Sequence, residues 1–127
     1  MYNKIKELSS KRIKFLIENQ ILFYKWNETY VKSIKWELEE VENEIKEKNS
    51  VYLEDELWDV FWTYICLLHS LENEWKITSV ENVLNRCYEK FTWRVWINWN
   101  ERFDWEEVKK IQKEKLKLEH NKLYNDN

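Results

Sequence analysis

Residues 37–60 read ELEEVENEIKEKNSVYLEDELWDV, and this stretch carries one short pattern twice. Glu37-Leu38-Glu39-Glu40-Val41 and Glu56-Leu57-Trp58-Asp59-Val60 both read Glu-Leu-x-acid-Val. Each copy lies within apolar spacings of three and four, the mark of an amphipathic α-helix. Val31, Ile34, Leu38, Val41 and Ile45 predict a helix over about residues 28–48. Leu53, Leu57, Val60, Tyr64, Leu67 and Leu71 predict another over about 52–73. The short connection near Lys48 to Ser50 makes the two antiparallel neighbours. On each helix the apolar stripe runs through the Leu and the Val. At about 100° per residue, both acids of a copy fall on the same side of that stripe. Equivalent flanks of an antiparallel pair face each other, so Glu37 and Glu40 are expected to confront Glu56 and Asp59.

Four carboxylates drawn together repel one another and lose hydration, so protons or cations must neutralise them. Oxygen donors with no well-placed His or Cys favour hard ions, Mg²⁺ first and Mn²⁺ as a substitute. The competing reading is a solvated helix face. The chain has 24 acids to distribute, and Glu39, Glu42, Glu44 and Glu47 read as surface. It is the matched pair across a short hairpin that favours the metal.

Outward from this hairpin the pattern stays helical, with no period-2 strand. A first helix is predicted over about residues 3–24, with Ile13, Leu16, Ile17, Ile21 and Tyr24 on one side. Thr78 with Glu81 reads as a capping box opening a fourth helix to about residue 92. Asp104 with Glu107 opens a fifth to about Leu123, leaving residues 93–103 as a loop. The expectation is an all-α antiparallel bundle of about five helices, one domain over residues 1–127.

A formal net charge of −3 gives no reason to expect attraction to nucleic acid or anionic membranes. No stretch approaches the ~18 apolar residues of a membrane span, and residues 1–15 lack the apolar run of a secretory signal. Cys66 and Cys87 show no ligand or redox spacing and read as small buried hydrophobes of a reducing cytoplasm. His69 and His120 are isolated, which disfavours zinc.

The composition is odd in one respect. The chain has no Gly, no Pro and no Ala, yet contains nine Trp. Average usage would supply about nine glycines. The missing residues are those with GC-rich codons, so the gene is expected to be strongly AT-rich. Several tryptophans, with Trp58, Trp75, Trp93, Trp96 and Trp99 among them, are then expected to be UGA codons read as glycine. Trp62 and Trp105 are the least suspect.

Glu37-x-x-Glu40, fifteen residues, then Glu56-x-x-Asp59 resembles the metal signature of the MazG-type all-α nucleoside triphosphate pyrophosphohydrolases. Asp55-Glu56-Leu57-Trp58-Asp59-Val60 is similar to that family's Asp-Glu-Leu-Gly-Asp-Val run, and Glu74-Trp75 stands where the family often has Glu-Gly. Lys90-x-x-x-Arg94 and Trp105-Glu106-Glu107-Val108-Lys109 resemble later family segments. The likeness spans about residues 28–115. The family's His-Pro stretch is absent after Arg94, its Gln-Thr-His element is not evident near Asn27, and Thr63 stands at a site-facing position that could have carried another acid.

The resemblance implies hydrolysis of nucleoside or deoxynucleoside triphosphates to monophosphate and pyrophosphate, with nucleotide-pool house-cleaning as the family's purpose. It implies Glu37, Glu40, Glu56 and Asp59 as metal ligands and catalytic groups. Lys90, Arg94 and Lys109 are expected at the phosphates, while Trp105 either stacks on the base or packs in the core. It also implies a homodimer or higher homo-oligomer. Two other readings are kept: a non-catalytic acidic helical interaction module, and a divalent-ion-binding structural protein without turnover.

Overall fold

The computed structural model describes residues 1–100 and 105–125, and the side chains of 1–95 and 106–125. Its helices are α1 (Tyr2–Glu18), α2 (Asn27–Glu44), α3 (Ser50–Asn73), α4 (Val80–Asn100) and α5 (Trp105–Tyr124), and there is no strand among the described residues. The fold is all-α. The chain forms two compact units, Met1–Val80 and Glu81–Asn127.

In the first unit α3 packs against both α1 and α2. Ile13, Leu16, Tyr24, Tyr30 and Cys66 form the core, with Ile17, Ile21, Trp62 and Leu67 packed around it. The Tyr24 hydroxyl meets the Ser70 Oγ at 2.8 Å in the buried interior, satisfying both. At the far end of the α2–α3 pair, Glu74 Oε2 accepts from the Asn27 amide at 3.1 Å, and Glu74 Oε1 accepts from Asn27 Nδ2 at 2.7 Å. This joint ties the start of α2 to the end of α3, so the helices run antiparallel, as their short connection predicts.

The boundaries differ from the sequence reading for local reasons. α1 ends at Glu18, not near residue 24. Gln20 adopts φ 49°, and its amide reaches Ile17 O while that of Ile21 reaches Leu16 O, a Schellman stop without glycine. Ile21 and Tyr24 nevertheless stay in the core from the connecting segment. α2 closes at Glu44, where Asn49 Nδ2 donates to the Glu44 carbonyl at 2.8 Å.

At the start of α4, Ser79 rather than Thr78 precedes the first helical residue, and the Val80 amide donates to Glu72 Oε2 at 2.6 Å. The loop expected over 93–103 is corrected: α4 continues to Asn100, because nothing in the sequence as written breaks it there. Residues 101–103 of that loop, the Asp104 cap, and the side chains of Trp96, Trp99 and Trp105 lie outside the described residues. Cys66 is buried as expected; Cys87 is exposed, a correction.

In the second unit α4 and α5 are joined by polar contacts. The Arg86 guanidinium pairs with the Glu119 carboxylate, its Nη1 donating at 3.1 Å. Gln112 donates to the Lys90 carbonyl and accepts from Arg94 Nε at 2.9 Å.

Candidate metal centre

The paired acids project from the second half of α2 and the first half of α3. Carboxylate oxygens of Glu37, Glu56 and Asp59 lie within 4.8 Å of one another. Glu37 and Glu56 are half-buried and Asp59 is exposed, so the cluster sits at a surface with one dry side. Glu37 Oε2 and Glu56 Oε2 are both shielded from solvent and have no hydrogen-bond partner among the described residues. A buried carboxylate oxygen left unpaired is costly unless a cation or a proton satisfies it.

Glu40, expected as a fourth member, takes a different position. Its carboxylate accepts from Trp36 Nε1 at 2.6 Å, and its charge bears on Glu56. It lies next to the three converging oxygens and is not one of them. The i, i+4 spacing of Trp36 to Glu40 is visible in the sequence. Asp55, read only as part of a motif, adds its charge to Glu56 and Asp59.

The electrostatics follow from this crowding. Lost hydration, then the hydrogen bond and charge of Glu40, then the charges of Asp59 and Asp55 push the Glu56 carboxyl up to about 7. Glu37 is raised by lost hydration first and by Asp59 and Glu40 after it. Asp59 is raised by lost hydration, then by Asp55 and Glu40. All three shifts therefore disfavour the ionised form. A divalent ion beside these groups would reverse that preference.

The donor set fits such an ion. It offers hard oxygen ligands, two of them with unpartnered inward-facing atoms, and no sulfur or imidazole. His69 is buried in α3 with Nε2 unpartnered and is held below its usual pKa chiefly by that burial; it is not in the carboxylate cluster. Thr63 is also buried.

The other predicted residues belong to the second unit. Arg94 bonds Gln112 and stacks its guanidinium 5.6 Å from the Phe91 ring centre. The Lys90 ammonium lies 5.7 Å from the same centre. Lys109 pairs with Glu106 at 3.6 Å within α5. Gln112, which carries no sequence signal, is what orients Arg94.

The model of the MazG nucleotide pyrophosphohydrolase domain matches residues 25–96, more than half of the chain. The chain belongs to this family. The MazG match contains the whole of α2 and α3 with all four acids, and it includes Lys90 and Arg94; Lys109 and Trp105 lie beyond it. No curated protein and no solved structure matches the chain. MazG membership points to nucleotide pyrophosphohydrolase activity, and the carboxylate cluster lies in the matched helices. No helix among the described residues is long and apolar enough to cross a membrane.

Proposed function

We propose that this chain hydrolyses nucleoside or deoxynucleoside triphosphates to monophosphate and pyrophosphate, with Mg²⁺ held by Glu37, Glu56 and Asp59. The carrying observation is the convergence of three carboxylate oxygens within 4.8 Å, with Glu37 Oε2 and Glu56 Oε2 shielded and unpartnered. Mn²⁺ is the expected substitute. When bound, the ion offsets the repulsion between the acids and the triphosphate, polarises a phosphoryl oxygen and acidifies a water.

The residues of the chain do the rest. Glu37, Glu56 and Asp59 fix the ion on two packed helices, a more rigid support than loops. Glu40, whose carboxylate accepts from Trp36 Nε1 at 2.6 Å, stands beside these three as the fourth acid of the paired motif. Phosphate binding by Lys90, Arg94 and Lys109, and base stacking or packing by Trp105, are separate proposals that rest on the sequence. So are a homo-oligomeric state, a cytoplasmic location and a house-cleaning purpose. Exposed Leu38 and Leu57 beside the acids support the oligomer, since each is about half exposed, at 50% and 49%.

Pyrophosphate release from a panel of nucleotides, with Mg²⁺ and with chelator, tests the reading. Metal-dependent turnover is expected, with Glu56→Ala and Asp59→Ala inactive and still folded. Stabilisation by Mg²⁺ without product would identify a passive metal binder; neither effect would identify an interaction module.

A further inference from the structure

Four described residues carry a positive φ: Gln20, Trp26, Lys48 and Trp75. For a bulky aromatic this conformation is an outlier, because its Cβ crowds the neighbouring carbonyl. Trp75 occupies the position after the α3 C-cap with φ 60°. Its amide donates to Glu72 O at 3.1 Å, and the Lys76 amide donates to Leu71 O at 3.0 Å. Those two bonds make a Schellman motif, whose left-handed residue is ordinarily glycine. The Trp75 side chain gains nothing in return, being 93% exposed.

Trp26 is placed more awkwardly. It holds φ 58° and ψ −140° just before α2, close to the mirror of the β region, which glycine enters readily and a residue with a Cβ does not. Both residues flank the Asn27–Glu74 joint, one just before α2 and one just after the α3 C-cap. The backbone at 26 aims the Asn27 amide at Glu74, and the reversal at 75 ends α3 directly after it. The same two positions thus shape the contact that sets α2 against α3. By contrast, Trp36, Trp58, Trp62 and Trp93 lie inside helices, where the backbone makes no demand for glycine.

We infer that positions 26 and 75 are glycine in the native polypeptide, their codons being UGA read as glycine. The inference joins two independent observations: a chain with nine Trp and no Gly, and two of those Trp at backbone angles that favour glycine. Trp26 is the addition that geometry makes, since nothing in the sequence marks it. The proposed hydrolase activity plays no part in the argument.

The test is the mass of the peptides spanning positions 26 and 75 in protein isolated from its natural source. Glycine at both is expected, and tryptophan at either overturns the inference. A second reading uses recombinant protein with tryptophan at both positions. Trp75→Gly and Trp26→Gly are each expected to raise the melting temperature by roughly 2–6 °C. Trp62→Gly, inside α3 and against the core, serves as the control and lowers it. A fall or no change at both 26 and 75 removes the geometric basis and overturns the inference as well.

Discussion

Binding of Mg²⁺ to this site should expel protons in an amount fixed by Glu56. Its carboxyl is pushed up to about 7, so in metal-free protein near pH 7 about half of the molecules carry that proton. Coordination requires the carboxylate, and the ion must displace whatever proton is there. The expected release is about 0.9 proton near pH 6, about 0.5 near pH 7 and about 0.1 near pH 8. Affinity should then weaken about tenfold from pH 8 to pH 6. Titration calorimetry in two buffers of different ionisation enthalpy reads the proton count directly. Glu56→Gln should remove most of the buffer dependence and weaken binding. Heats of Mg²⁺ binding that are identical in both buffers across this range would refute the reasoning, since the ion would then not be displacing the Glu56 proton.

The same shift has a consequence for folding. A carboxyl whose pKa is higher folded than unfolded binds its proton more tightly in the native state, so metal-free protein is stabilised at low pH and loses that stabilisation as pH rises through about 7. Melting curves in chelator should show this fall between about pH 5 and 8, and saturating Mg²⁺ should abolish or reverse it. Asp59→Ala should cut pyrophosphate release by about 10²-fold or more while leaving the helical circular dichroism intact. Glu74→Ala strips the acceptors from the Asn27 amide and side chain and should cost about 1–3 kcal/mol in urea unfolding, because it leaves a part-buried donor unpaired. Leu16→Ala, at 1% exposure in the core, should cost about 2–5 kcal/mol, against less than about 0.5 kcal/mol for Leu118→Ala at 68% exposure.

The α2–α3 hairpin and its acids were readable because two signals agreed, a repeated motif and a connection too short for anything but antiparallel packing. Helical periodicity brought Glu37, Glu56 and Asp59 together. It could not fix rotamers, and so it did not reveal that Trp36 Nε1 donates to Glu40. The core was less legible. Leu57 and Tyr64 belong to the expected α3 stripe yet are 49% and 38% exposed, while Thr63, His69 and Ser70 are buried. Polar residues that bury through partners, as Ser70 does with Tyr24, defeat a reading based on apolar spacing. The end of α1 was hidden for another reason: its Schellman residue is Gln20, which carries none of the sequence signal that glycine gives. The same lack of a breaker carried α4 past the expected loop.

The central claim is that three side chains from two helices hold one divalent ion. Anomalous diffraction from crystals of the protein grown with Mn²⁺ tests it most directly. The account predicts a peak in direct contact with carboxylate oxygens of Glu37, Glu56 and Asp59. A Mn²⁺ ion bound elsewhere, with those three acids turned apart into solvent, would contradict it.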